Sequence, residues 1–189
     1  MIKRAMTHFR RRHDWQALSR FGGGMLYNYG AHAVDALLYL SGSTARSVNA
    51  HLRTVASLGD AEDVVKMVIE TENRIILDID VNMACPHDQL PWQVFGSKGS
   101  AVVDSGRGAV QVTYYREDEL QEVALHDELA APNRSYDSGE SIPWIEERVE
   151  LDAIPSVDYY DHCHAHFARG EEPFVAVEET REVMRILDA

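Results

Sequence analysis

Asn28, His32 and Asp35 are the residues of this 189-residue chain whose types and spacing best suit chemistry. They follow the glycine run Gly22-Gly23-Gly24 at helical intervals. Side chains four apart on a helix lie one above the other, so Asn28 and His32 share a face, with Asp35 one short turn further on. An imidazole titrates near neutrality and can take or give a substrate proton while its neighbours fix its tautomer and orientation. The pattern therefore fits general acid–base work by His32, and the glycines let another backbone approach closely. A lone histidine beside an apolar helical stripe also reads as a satisfied core residue.

Two other clusters carry ligand-type side chains. In Asp161-His162-Cys163-His164-Ala165-His166, a helix would put His162 and His166 on one face, where they could ligate an ion. No HExxH arrangement accompanies them, so a solvated face with His164 turned inward is the preferred reading, and no metal is assigned. Cys85-Pro86-His87 pairs a thiol with a base, but adjacent side chains seldom meet, and a buried cysteine ending a strand explains it better. Phosphate-binding signatures are missing: no GxGxxG follows a strand and no GxxxxGK[ST] occurs. The chain does not read as able to bind a dinucleotide by itself.

The elements that must position these residues follow from periodicity. Alternation over 2–9 reads as a strand. Asp14 can cap a short helix to about 19, and a longer helix runs from 25 to 40 with Ser41-Gly42 as its stop. Strands are expected over 47–56, 64–70, 74–81, 92–95, 101–103, 109–115, 120–125 and 144–151, with hairpins at Glu72-Asn73 and Gly96-Ser97-Lys98-Gly99. With short turns and no helices between them, neighbours should pair antiparallel. The aperiodic stretch 126–141 is a long loop. Helices over 157–168, capped by Ser156 and stopped by Gly170, and over 180–187 close the chain. Val157, Tyr160, His164 and Phe167 mark a stripe on the first; Thr180, Val183, Met184 and Leu187 mark one on the second. The expected class is α+β: one large, mostly antiparallel open sheet with helices on one face. The other face must be solvated or covered by a partner.

Composition sets the outer bounds. A net charge of −13 repels phosphate backbones and argues against nucleic acid. The first twenty residues carry six basic side chains against Asp14, +5 in all, which leaves −18 for the remainder. That basic start has a presequence-like bias, yet it reads better as folded strand. No apolar run approaches the roughly 18 residues of a membrane span. Two cysteines, Cys85 and Cys163, imply no disulfide framework and fit a reducing compartment.

The stretch Arg12-His13-Asp14-Trp15-Gln16, the triple glycine, and Asn28-Tyr29-Gly30-Ala31-His32-Ala33-Val34-Asp35 resemble the Gfo/Idh/MocA family. These are NAD(P)-dependent oxidoreductases related to glucose–fructose oxidoreductase and inositol dehydrogenase. The likeness continues through Trp92-Gln93-Val94-Phe95-Gly96-Ser97-Lys98-Gly99, Pro173 and Val183-Met184-Arg185-Ile186-Leu187, and so covers nearly the whole chain. It implies a single C-terminal substrate-binding and dimerisation domain over 1–189. The Rossmann domain, its Glu-Lys-Pro motif and the catalytic lysine would lie upstream of Met1, outside this chain. NAD or NADP would be held mainly there, and this domain alone would be inactive.

The resemblance further implies a cytoplasmic enzyme acting on a sugar, polyol or related compound, and a homodimer or larger assembly formed through the sheet face. His32 matches the family's catalytic histidine, and Asp35 matches the last aspartate of its motif, where it would either orient the helix or take part in the chemistry. Asn28 stands where many family dehydrogenases carry an aspartate, a departure: an amide can hold a substrate hydroxyl but cannot relay a proton. Asn28, Tyr29 and Asp35 are the expected substrate-side residues, with Tyr27 beside them. The alternative is a non-enzymatic ligand-binding or scaffold domain of the same fold.

Overall fold

Ile2, Arg4 and Met6 alternate with Lys3, Ala5 and Thr7, and this period-two stretch forms strand β1 (Ile2–Thr7). The computed structural model describes residues 1–103, 106, 108–123 and 141–189. Seven more strands follow among them: β2 (Ala45–Arg53), β3 (Val64–Thr71), β4 (Ile76–Asn82), β5 (Trp92–Phe95), β6 (Gly99–Val103), β7 (Ala109–Tyr114) and β8 (Ile145–Glu150). They form one sheet in the order β2-β3-β4-β1-β5-β6-β7-β8. Both expected hairpins are present, β3–β4 and β5–β6.

One pairing departs from the antiparallel expectation. β1 runs parallel to β4, with Ile2 opposite Leu77 and Thr7 opposite Asn82. The chain leaves β1 through helix α1 (Ala31–Ser41), reaches β2 at the far edge, and returns through β3 to β4. A helical crossover is what parallel neighbours require, and here it seats the first strand mid-sheet. The strand expected over 120–125 is not formed by its described part. Glu117–Glu119 make a 3-10 turn, three successive acids poorly suited to a ladder, and 120–123 extend no strand. Residues 124–125, and the long loop expected over 126–141 except Ser141, lie outside the described residues.

Helices α1 and α3 (Val177–Leu187) cover one face of the sheet. Ala33, Val34, Leu37 and Leu38 of α1 join Val183, Ile186 and Leu187 of α3 over Val65, Met67, Ile69, Leu77, Ile79 and Val81. Each fully buried aliphatic side chain contributes about 1.5–3 kcal/mol. The core therefore lies over β1–β4, whereas among the residues of β5–β8 only Ala109 is buried. On the far face Lys66 and Lys3 both pair with Asp78, the latter at 3.3 Å. Burial pushes the Asp78 carboxyl up, but the hydrogen bonds and charges of the two lysines outweigh it and hold the group below its ordinary range.

Helix α2 (Tyr159–Arg169) corrects two expectations. Asp158, not Ser156, caps it, accepting from the amides of Tyr160 and Asp161. Its apolar stripe faces outward: Val157, Tyr160, His164 and Phe167 are exposed, and Ala165 is the one buried residue of the helix. Gly170 ends it in the left-handed conformation, as the sequence suggested. α3 starts three residues earlier than expected because the Glu179 carboxylate reaches back to the Ala176 amide at 2.9 Å. Its inward face is Val183, Ile186 and Leu187, with Thr180 and Met184 exposed.

The loop between β2 and β3 fastens the residues that precede α1. Asp63, itself buried, accepts from the amides of Val55 and Ala56 at 2.7 and 2.8 Å and so shapes the loop. Asp60 accepts from both the amide (2.9 Å) and the hydroxyl of Ser19. The Ala61 amide donates to Ala17 O, and the Met25 amide donates to Glu62 O at 3.0 Å. The Glu62 carboxylate takes the Leu26 amide at 2.9 Å. With the Ser19 amide and the Ala17 carbonyl engaged by the loop, residues 15–21 form two 3-10 turns, Trp15–Ala17 and Ser19–Phe21, rather than the short helix expected from Asp14. Asp14 does cap the first of them, through the Gln16 amide.

The Asp60 latch has a pH signature. The Ser19 hydroxyl and amide hold the Asp60 carboxyl below its ordinary range. A depressed folded-state value adds stability above the unfolded value of about 3.9, and that stability is lost as pH falls through the folded value. Melting curves between pH 5 and 3 should therefore fall less steeply for Asp60→Asn than for the unsubstituted protein. Identical slopes would remove this carboxylate from the fastening.

Candidate functional site

The helix expected over 25–40 is two structures in succession. Leu26–Gly30 form a π turn, with the Gly30 amide donating to Met25 O at 2.8 Å and the Ala31 amide to Leu26 O. The α-helical bonding starts only at Ala31 and ends at Gly42. Isolated π turns are rare and concentrate at functional sites. This one begins where Glu62 grips both Met25 and Leu26, so its first amides are held from outside the helix. Gly24, at φ +116°, makes the grip possible: a Cβ there would lie 2.3 Å from a Glu62 carboxylate oxygen.

Between this turn and the first 3-10 turn lies a cavity of about 200 Å³. Trp15, Gln16, the triple glycine, Tyr27 and Asn28 line it. Aromatic walls with a few polar groups are the usual make-up of a small-molecule site. A larger hollow, about 630 Å³, lies on the far face of the sheet beside the Glu70–Arg74 ion pair. It is an open depression whose one hydroxyl, Ser47, has no histidine beside it in the lining, so the smaller cavity is the better candidate.

Of the residues singled out by spacing, Asn28 and Tyr27 reach this cavity. Asn28 is half-buried, and its Nδ2 donates to Gln16 Oε1 at 3.1 Å. The Tyr27 hydroxyl donates to Asp188 Oδ1 at 3.3 Å. Partial desolvation and the Asp188 carboxylate hold that hydroxyl above the ordinary tyrosine range, so it stays a neutral donor. Tyr29 packs against the core instead, with its ring edge-on to His8 at 6.0 Å. His32 and Asp35 are exposed on α1, and neither side chain makes a hydrogen bond or an ion pair among the described residues. The structure thus joins Asn28 to Gln16, not to His32. Gln16 and Trp15 were not singled out by spacing, although their position right after the Asp14 cap is a usable signal.

Nothing here cradles a dinucleotide. The glycine run follows a 3-10 turn rather than a strand. The helix-entry amide that would meet a pyrophosphate already binds the Glu62 carboxylate, which would repel one. The described residues do not fit that group. On α2 the His162 ring stacks on Phe174 at 4.4 Å, and His166 Nδ1 lies 2.6 Å from Glu171 O. Among the described residues no three histidine, cysteine or acidic side chains gather as metal ligands. Cys85 is half-buried three residues beyond β4, and its thiol donates to His87 O at 3.1 Å. No described helix is long and apolar enough to cross a membrane.

Solved structures share this fold. An NAD-binding protein from Listeria innocua superimposes with a TM-score of 0.75 at 21% identity, covering 100% of this chain and 54% of its own. An oxidoreductase from Bacillus cereus gives 0.72 at 16%, covering 99% and 54%. A candidate NADPH-dependent oxidoreductase from Desulfitobacterium hafniense gives 0.69 at 17%, covering 100% and 52%. The chain therefore spans about half the length of the structures it resembles. No curated protein sequence matches it. The GFO/IDH/MocA C-terminal domain model matches residues 1–102, more than half of the chain. The chain belongs to the GFO/IDH/MocA family, by the C-terminal domain of that family.

Proposed function

We propose that the chain is the substrate-binding and oligomerisation domain of an NAD(P)-dependent oxidoreductase acting on a sugar, polyol or related compound. The observation that carries this reading is the cavity at the π turn, walled by two aromatic side chains and an amide pair, in a domain of this family. In this reading Asn28 hydrogen-bonds a substrate hydroxyl. His32, one turn on and solvent-accessible, serves as the proton donor or acceptor. Tyr29 and Asp35 belong to the substrate side through their place in the family motif. Asn28 itself cannot ionise, so proton movement falls to His32.

The dinucleotide, NAD or NADP, is assigned to a separate domain, since Glu62 occupies the anion seat here. The isolated domain is then inactive. The similar Listeria innocua protein is described as NAD-binding and the Desulfitobacterium hafniense one as NADPH-dependent, which supports a nicotinamide cofactor for the whole protein. A cytoplasmic setting is favoured by two free thiols, Cys85 and Cys163. Nucleic acid is disfavoured as a partner by the −13 charge.

A second reading, a ligand-binding or scaffold domain without catalysis, draws on His32 having no orienting partner among the described residues. In the intact protein His32→Ala should lower kcat about 10²–10⁴-fold while leaving cofactor affinity unchanged. Unchanged turnover would remove His32 from the chemistry, and no response to either cofactor would favour the scaffold.

Assembly is assigned to the sheet face opposite the helices, where Val68, Ile76 and Phe95 are exposed beside the lysine–Asp78 cluster. A charge at its centre, Val68→Glu, should shift the sedimentation coefficient to that of a monomer. An unaltered assembly would move the interface elsewhere.

A further inference from the structure

Gln16 is held at three points. Its amide donates to the Asp14 carboxylate at 2.9 Å, and its carbonyl accepts from the Gly24 amide at 2.9 Å. Its side-chain Oε1 accepts from Asn28 Nδ2 at 3.1 Å. One residue therefore ties the first 3-10 turn, the glycine turn and the π turn together at the cavity wall. The backbone anchors fix where its side chain starts, and the side chain fixes the Asn28 amide.

We propose that Gln16 positions Asn28 and that the pair selects an uncharged, hydroxyl-bearing ligand over an anionic one. The inference rests on the reading that Asn28 holds substrate. Two primary amides bonded to each other once leave one carbonyl oxygen and one NH₂ group unspent. Reversing both amides leaves the same set. A hydroxyl is donor and acceptor at once and satisfies both groups. A carboxylate or phosphate satisfies only the NH₂ and meets the carbonyl oxygen with like charge.

The surroundings reinforce that preference. The cavity wall holds no charged side chain. Three carboxylates touch lining residues: Asp188 on the Tyr27 hydroxyl, Glu62 against Gly24, and Asp14 on the Gln16 amide, the last paired with Arg12 at 3.4 Å. No cation in the wall repays the desolvation of an anion. Trp15 and Tyr27, both about half exposed, offer apolar faces for the ring carbons of a neutral ligand.

The test uses the intact protein with reduced nicotinamide dinucleotide present, titrated by NMR with D-glucose and D-glucuronate, which share a ring and differ in charge. Glucose should bind roughly tenfold more tightly than glucuronate. Gln16→Leu should weaken glucose about tenfold and shift the Asn28 side-chain amide signal. Gln16→Glu keeps an acceptor for Asn28 Nδ2 but removes the unspent NH₂ group, so it should leave that signal in place while weakening glucose about tenfold. Glucose binding lost in Asn28→Leu but intact in Gln16→Leu overturns this inference alone. Intact binding in both overturns the reading of Asn28 beneath it. A preference for glucuronate, no glucose binding by the unsubstituted protein, or an unmoved amide signal in Gln16→Leu overturns the proposal as well.

Discussion

Backbone amides at the entrance to a helix must find acceptors, and here a carboxylate on a distant loop supplies one of them. Glu62 takes the Leu26 amide through its side chain and the Met25 amide through its carbonyl, thirty-six and thirty-seven positions away in sequence. Asp60 and Ala61 fasten the preceding turns at Ser19 and Ala17. The cavity wall, the π turn and the aim of Asn28 all follow from this fastening. A carboxylate at a helix entrance also complements the positive end of the helix dipole. The same contact makes this entrance unsuited to a phosphate.

The sheet supplies the platform for that arrangement. β1 enters mid-sheet between β4 and β5, so the segment leaving it emerges above the sheet's centre rather than at an edge. The isolated bridge between Phe9 and Ala84 continues the contact of β1 with β4 beyond Thr7. From there the chain runs beneath the β2–β3 loop before α1 packs back over the core. The glycines serve this crowding: at Gly59 a Cβ would lie 1.9 Å from Ala17 O, so the loop and the 3-10 turn meet backbone to backbone.

Much of this was legible in residue order. β1 declares itself by alternation, β3 and β4 by their β-branched runs, the two hairpins by their turn residues, and the ends of α1 and α2 by Gly42 and Gly170. The fold class followed from the same signals; the family likeness rested instead on the stretches at 12–16, 22–24, 28–35 and 92–99. The π turn was not legible, because residues 25–30 are ordinary helix formers apart from Gly30 and the cause lies at Glu62. The parallel β1–β4 pair is a fact of topology that local pattern does not encode. On α2, spacing found the apolar stripe but misjudged its direction, since periodicity marks a face without saying what meets it. At the site, spacing placed Asn28 beside His32. The widened turn and Gln16 draw Asn28 into a different partnership, and Tyr29 is spent on core packing.

Glu62 holds the helix entrance and, through it, the cavity. Amide hydrogen exchange at Leu26, compared between the unsubstituted protein and Glu62→Ala, tests it most directly. Loss of the carboxylate acceptor should speed exchange at Leu26 about tenfold or more, while the Leu77 amide in the core of the sheet keeps its protection. Equal Leu26 protection in the two proteins would contradict the account, because the π turn would then stand without the loop that is said to hold it.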